Sequence, residues 1–157
     1  KLTDAGNGAA DPATFATNSL EIITAAGNPN AIKGVADLAN PDLIVVTCGH
    51  DVPIGKYSAE VFTNAGVKVT PKSFDDNVKG VVSTVTLGEA DAAVVHASDA
   101  VSAGDRVHGG QIPASVNQTL SYRLIRLTDD PTTVAFMTYV LSDEGRKRLR
   151  ANGFLTP

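Results

Sequence analysis

Two short and almost uninterrupted apolar runs constrain the fold of this chain more than any other feature. They are Leu43–Cys48 (LIVVTC) and Ala92–Ala97 (AAVVHA). Such runs, without polar alternation, are typical of strands that are covered on both faces, as in a parallel sheet. A segment with helical periodicity or a helix-start signal follows each run, which indicates strand–helix units. The two runs therefore predict an α/β protein with a mostly parallel sheet and helices on both faces.

The rest of the chain continues this alternation. Further strands are predicted over Ser19–Ala25, Val67–Thr70, Val107–Ile112 and Leu120–Leu127, and helices over Gly34–Ala39 and Ile54–Ala65 and after Asp130 and Ser142. Four valines at i, i+3, i+4 and i+7, beginning at Val78, predict another helix, with Asp75 or Asp76 as its cap and Gly88 at its end.

Composition limits the partners and the location of the protein. The net charge is −4 and no stretch is strongly basic, so nucleic acid is not an expected partner. No apolar run approaches the roughly 18–20 residues of a membrane span, and the opening segment KLTDAGNGAADP lacks the apolar stretch of a signal peptide. These features fit a cytosolic protein or an exported one whose signal has been removed. The single cysteine, Cys48, leaves the redox compartment open.

The segment Gly49–Tyr57 (GHDVPIGKY), between a strand and a helix, resembles a phosphate-binding P-loop in its position. It departs from that motif because five residues instead of four separate its glycines, and because Tyr57 rather than Ser or Thr follows Lys56. Unpaired backbone N–H groups and the helix dipole at a helix start still favour an anion at Ile54 and Gly55. A plain tight loop and a nucleotide-binding loop are the alternatives for this segment.

The polar residues do not converge on a catalytic or metal-binding motif. Cys48 and His50 are two residues apart, but no spacing typical of zinc ligands accompanies them. His96 and Asp99 flank Ser98 without the separate elements that a catalytic triad needs, and no GxSxG occurs. We therefore predict structural roles for the histidines, no catalytic residue and no residue that ligates a metal cation.

Four segments, taken together, resemble one protein family. They are NSLEIIT from Asn18, VPIGKYSAEVF followed by NAG from Val52, DNVKGVVSTVTLGEADAAVVHASDA from Asp76, and VLSDEGRKRLRANGFL from Val140. Their order and spacing are similar to those of the molybdate-binding proteins that serve bacterial ABC importers, a branch of the type II periplasmic binding proteins. The resemblance covers the chain from about Asn18 to Leu155 and implies a two-lobed α/β fold with an oxyanion in the cleft.

In that family neutral donors hold the dianion, and the resemblance carries three of them over to this chain. The backbone N–H groups of Ile54 and Val95 and the hydroxyl of Tyr122 would bind molybdate or tungstate, and no cofactor is implied beyond this ligand. The family has a small residue at the position of Ile54 and proline at that of Arg123, which is expected to point to solvent. Two serines of the family's first lobe have no counterpart here, so weak binding or none is expected.

The resemblance also implies a domain organisation. Residues 1–33 would be a remnant of the first lobe with the first crossover strand, residues 34–118 the second lobe, and residues 119–157 the return strand and the C-terminal helices of the first lobe. Lys1–Ala10 has the pattern of a helix end and would open a truncated first lobe. Apolar surface around Val134, Met137 and Val140 would then be exposed, which predicts dimerisation or disorder.

The implied role is that of a solute-binding protein in the periplasm or elsewhere outside the cytoplasm. It would deliver the oxyanion to the membrane permease of an ABC importer and would not be an enzyme; a lipid anchor ahead of Lys1 stays open. Two other functions remain alternatives. One is an oxyanion-sensing effector domain of a transcription regulator, which uses the same fold, and the other is a P-loop-like nucleotide-binding protein.

Overall fold

The computed structural model describes residues 11–157, and the helix end predicted at Lys1–Ala10 lies outside the described residues. The described chain consists of two compact units. Unit 1 combines the described residues up to Asn18 with Leu120–Pro157, and unit 2 is Ser19–Thr119. The lobe boundaries at residues 33 and 118 stay predictions.

Within residues 11–157, five strands take part in the sheet of unit 2, and the first of them begins in unit 1, which holds its residues up to Asn18. In chain order they are β1 (Ala13–Ala25), β2 (Val45–Cys48), β3 (Ser73–Asp75), β4 (Ala92–His96) and β5 (Val107–Gln111). Their order across the sheet is β3-β2-β4-β1-β5. β2 pairs in parallel with β3 and β4, whereas β1 pairs antiparallel with β4 and β5. The α/β class is confirmed, but the sheet is mixed rather than mostly parallel because β1 runs in the reverse direction between two later strands.

The α-helices of unit 2 alternate with its strands. They are α1 (Pro53–Asn64), α2 (Val78–Thr86) and α3 (Ala97–Ala103), and short 3-10 helices cover Val35–Ala39 and Gly104–Arg106. Gly66 follows α1 with a φ of +65° and Gly88 follows α2 with a φ of +75°. A side chain is strained in this left-handed region, so both glycines end their helices as predicted.

The strand predicted at Val67–Thr70 is wrong. The N–H of Val67 donates to the carbonyl of Phe62 at 2.9 Å and so completes the end of α1. Pro71 has no N–H to give to a neighbouring strand. Backbone pairing with β2 begins only where Lys72 donates to the carbonyl of Val45 at 2.8 Å, which places β3 at Ser73–Asp75.

The predicted cap of α2 is also wrong. Asn77, rather than Asp75 or Asp76, is the N-cap, and its side-chain oxygen accepts a hydrogen bond from the N–H of Gly80 at 3.0 Å. Asp75 instead pairs with Cys48 as the last residue of β3, so it is not free to cap the helix.

The core of unit 2 lies between the sheet and its helices. Its largest buried side chains come from β1, β2, β4, α1 and α2 and include Leu20, Ile22, Ile23, Val45, Val46, Val61, Val81, Val85, Val94 and Val95. Burying an aliphatic side chain of this size stabilises a fold by roughly 1.5–3 kcal/mol. These side chains belong to the apolar runs and to the apolar helix faces that the sequence displays.

Unit 1 contains β6 (Thr119–Leu124), which pairs with β1, and the helices α4 (Pro131–Leu141) and α5 (Asp143–Ala151). The carboxylate of Asp130 accepts hydrogen bonds from the N–H groups of Thr132 and Thr133, which confirms the predicted cap of α4. Ser142 caps α5 in the same way, through the N–H of Gly145 at 3.3 Å. No α-helix within residues 11–157 is both long and apolar enough to cross a lipid bilayer.

Helix α4 carries an apolar surface that the rest of the described chain leaves open. None of its residues is buried, although its sequence is mostly apolar. Phe136 is 63% exposed and Tyr139 is 44% exposed, whereas the predicted centre of this surface, Val134, Met137 and Val140, is half-buried. The exposed surface is therefore present on α4, with the aromatic side chains as its most accessible part.

Candidate functional site

The loop between β2 and α1 leaves open one of the two backbone donors that the sequence pointed to, the N–H of Ile54, whereas the N–H of Gly55 is already used within the protein. Val52 is the N-cap of α1, its side chain accepts no capping hydrogen bond, and Pro53 follows as the first helical residue. The carbonyl of Val52 accepts from the N–H groups of Gly55 and Lys56 at 3.0 and 3.2 Å. No residue of the described chain accepts a hydrogen bond from the N–H of Ile54. The first turn of α1 therefore leaves a donor open beside a buried side chain.

A close contact fixes where this helix begins. A Cβ atom at Gly55 would overlap the carbonyl oxygens of Gly49 and Cys48. Both oxygens belong to backbone that the sheet holds, because Gly49 donates to the carbonyl of Asp75 at 3.1 Å. The first turn of α1 thus packs directly on the end of β2, and only glycine allows this approach.

Val95 is the next-to-last residue of β4, which leads directly into α3. It is fully buried, and it is paired with Glu21 of β1 in the antiparallel ladder. Because β2 and β4 are parallel neighbours, their carboxyl ends lie at the same edge of the sheet. The start of α1, with Ile54, and the end of β4, with Val95, therefore occupy one edge of unit 2.

Three carboxylates lie near Cys48 at this edge of the sheet. The thiol of Cys48 is buried, and burial together with the charges of Asp75, Asp99 and Asp76 raises its pKa from 9.0 to about 11. The thiol is therefore protonated at neutral pH and is a poor nucleophile. An anion at this edge would have to be held by local backbone dipoles, since the nearby charges repel it.

The histidines have separate partners. The ring of His50 lies 6.0 Å from that of Phe74, and Nδ1 of His96 lies 2.9 Å from Oδ2 of Asp99. His108 is exposed on β5, where it lowers the pKa of Glu21, which burial raises more strongly. No group of three His, Cys, Asp or Glu side chains within residues 11–157 is arranged to hold a metal ion.

Tyr122 belongs to unit 1, in the middle of β6. Its ring packs edge-on against Phe154, with centroids 5.7 Å apart, and at a tilt against Phe15 at 6.4 Å. The side chain is half-buried, and its hydroxyl makes no hydrogen bond to any described residue. Packing fixes the ring while the hydroxyl stays free to donate. Arg123, the next residue, is exposed, which confirms the prediction that it points to solvent.

Two contacts of the site were not anticipated from the sequence. The overlap that forces glycine at position 55 depends on how closely a helix approaches a strand, which local patterns do not encode. The His96–Asp99 pair had a signal, because a carboxylate three residues after a strand end reaches back to the helix start.

Comparisons with known proteins agree with this architecture. The molybdate-binding protein ModA of Mycobacterium tuberculosis is 35% identical over 159 residues, which cover 99% of this chain and 61% of the relative. A substrate binding domain ascribed to a molybdenum ABC transporter of Clostridium difficile superposes with a TM-score of 0.82 at 23% identity, over 99% of this chain and 71% of the other. The periplasmic molybdate-binding protein of Azotobacter vinelandii gives a TM-score of 0.67 at 17% identity, over 99% and 73%.

The structural likenesses show the fold, which is that of the type II periplasmic binding proteins. The chain spans 61% of the length of its curated mycobacterial relative. The sequence pattern of the family described as bacterial extracellular solute-binding protein matches residues 1–155. This match extends over nearly the whole chain, and the chain therefore belongs to the family of bacterial extracellular solute-binding proteins.

Proposed function

We propose that this chain binds molybdate or tungstate as part of an extracytoplasmic solute-binding protein. The open N–H of Ile54 at the uncapped start of α1 is the observation that carries the proposal. A fully deprotonated oxyanion offers only hydrogen-bond acceptors, so donors that lack partners in the protein suit it. The 35% identity to a mycobacterial protein that binds molybdate supports this choice of ligand.

Three residues are proposed as donors. The backbone N–H of Ile54 would bind one oxygen with the help of the α1 dipole. The N–H of Val95 would come from the same edge of unit 2, and the hydroxyl of Tyr122 from unit 1. No cofactor is needed, since the ion is cargo and the donors are groups of the protein itself.

The proposed role is binding and delivery without catalysis. A solute-binding protein of this family would carry the ion outside the cytoplasm and pass it to the membrane permease of an ABC importer. The protonated state of the buried Cys48 thiol fits this role, because it leaves the edge of the sheet without a reactive nucleophile.

A thermal-shift titration tests the proposal, with molybdate, tungstate, sulfate, phosphate and ATP in parallel up to millimolar concentration. A ligand at tenfold its Kd stabilises the native state by about 1.4 kcal/mol. For a chain of this size that raises Tm by roughly 3–6 °C. Because two donors of the family have no counterpart here, we expect weak binding, with a shift for molybdate and tungstate only near millimolar concentration. Phosphate should give a smaller shift or none, since its own O–H finds no acceptor among neutral donors.

Other outcomes would contradict the proposal. No shift with any oxyanion would show that this chain does not bind the ion by itself. A shift with ATP alone would favour the nucleotide-binding alternative for the loop Gly49–Tyr57.

A further inference from the structure

His96 and Asp99 form a pair at the edge of unit 2 where the oxyanion is proposed to bind. His96 is the last residue of β4 and follows Val95 directly, and Asp99 lies in the first turn of α3. Nδ1 of His96 and Oδ2 of Asp99 are 2.9 Å apart. Their side chains are 19% and 26% exposed, so solvent screens the pair only in part.

Negatively charged groups predominate between this pair and the start of α1. The carboxylate of Asp99 raises the pKa of Cys48 at the end of β2, as do Asp75 and Asp76. Three carboxylates therefore lie within electrostatic reach of the strand end that precedes α1. An anion at the start of α1 would be repelled by whichever of these charges is not neutralised.

Other charged groups lie against the same elements. Asp99 also lines a cavity of about 250 Å³ with Lys79 of α2 and Arg106, whose Nε donates to the carbonyl of Ala103. From β1, Glu21 lies opposite Val95, with His108 of β5 near it. In the described structure neither Lys79 nor Arg106 forms a salt bridge with Asp99, so His96 is the partner of this carboxylate.

Building on the proposed function, we propose that His96 sets the affinity for the oxyanion through its protonation. When His96 is protonated, the pair with Asp99 has no net charge. When His96 is neutral, its Nδ1–H still donates to Asp99, but the pair carries the full negative charge of the Asp99 carboxylate. The affinity for a dianion is therefore lower when His96 is neutral than when it is protonated. His96 acts here as a positioning and charge-balancing residue that does not itself contact the ion.

The test is an NMR titration of the chain with molybdate at pH 6.0 and pH 8.5, in wild type and in three variants. His96→Gln keeps a donor for Asp99 but cannot be charged, and Asp99→Asn removes the carboxylate. Asp42→Asn is the matched control, since it removes an exposed carboxylate before the start of β2, at the opposite end of the strand from the site. Variant and wild-type Kd values are compared as a ratio at each pH, because the protonation state of molybdate is then the same for both proteins.

We expect the wild-type Kd to rise about fivefold from the lower to the higher pH, and Asp42→Asn to follow it. His96→Gln should give a nearly constant Kd, and Asp99→Asn should bind better than wild type at pH 8.5. The inference is overturned if His96→Gln keeps the wild-type pH dependence or if wild-type binding does not depend on pH. Absence of binding to the wild type at both pH values would instead overturn the proposed function on which this inference rests.

Discussion

Gly55 lies so close to the carbonyl oxygen of Gly49 that no side chain fits between them. This contact joins the first turn of α1 to the end of β2 and so sets the direction of the Ile54 N–H.

We therefore expect Gly55→Ala to displace the start of α1. The new Cβ meets backbone oxygens, which cannot rotate away, so the free energy of unfolding should fall by about 1–3 kcal/mol. Oxyanion binding should weaken with it. Urea denaturation and NMR titration measure both effects. Gly49→Ala is the matched control, because a Cβ there meets no atom within 4 Å. Equal free energies of unfolding for Gly55→Ala and Gly49→Ala would contradict the close contact between Gly55 and the Gly49 carbonyl oxygen.

Tyr122→Phe tests the hydroxyl separately from the ring. The ring contacts with Phe15 and Phe154 remain, and the hydroxyl has no partner in the described chain, so stability should change by less than about 0.5 kcal/mol. A hydrogen bond to a charged ligand is worth about 1.5–3 kcal/mol, so the Kd for molybdate should rise roughly tenfold to a hundredfold. Tyr139→Phe, on the exposed side of α4, should leave the Kd unchanged. If the Kd of Tyr122→Phe matches wild type, Tyr122 is not a donor.

Asn77→Ala should destabilise unit 2 through the loss of the α2 cap. The side chain of Asn77 satisfies the N–H of Gly80, and such a cap contributes about 1 kcal/mol. Asp76→Ala is the neighbouring control and should cost less than about 0.5 kcal/mol. Urea denaturation of both variants measures the free energy of unfolding. A larger decrease for Asp76→Ala than for Asn77→Ala would show that Asp76 is the N-cap.

The apolar surface of α4 should bind a hydrophobic dye and promote self-association. Phe136 and Tyr139 are the most exposed apolar side chains of that helix, so the double variant Phe136→Ser, Tyr139→Ser should lower dye fluorescence with little change in stability. Leu87→Ser, at an equally accessible site in unit 2, serves as the control. Analytical ultracentrifugation over a range of concentrations measures association, and a monodisperse monomer that excludes the dye would refute the expectation.

Cys48 should make the protein less stable at high pH. Its pKa is raised to about 11 in the folded state from 9.0, so the unfolded chain releases this proton first. The free energy of unfolding should therefore be unaffected by Cys48 below pH 9 and should fall between about pH 9 and 11. Cys48→Ala lacks the titration, and its urea midpoint should decline less steeply over that interval. Parallel pH profiles of the two proteins would show that the thiol titrates normally.

Patterns within single elements could be predicted from the sequence. The apolar runs of β2 and β4, the faces of α1 and α2, and the glycines that end those helices follow from local periodicity and backbone freedom. The Asp130–Pro131 helix start follows from the same kind of local rule.

Relationships between distant or competing residues could not be predicted. The reverse direction of β1 depends on its pairing with strands far along the chain, and no residue within β1 encodes it. Three adjacent residues, Asp75 to Asn77, could each cap α2, and only the pairing of β3 decides among them. Of the proposed donors, the helix start itself pointed to Ile54, whereas Val95 and Tyr122 came from the family resemblance alone; all three stay predictions.

The place of β1 in the sheet has a consequence for how the chain reaches its native state. Leu20 lies opposite His96, and Glu21 lies opposite Gln111, so the first strand of the described chain has its partners among the last strands of unit 2. The parallel set β2, β3 and β4 closes shorter loops and can assemble earlier. Until both β4 and β5 are available, Ile22 and Ile23 lack the two strands between which β1 lies, and the late insertion of β1 should make refolding slow and prone to misassembly.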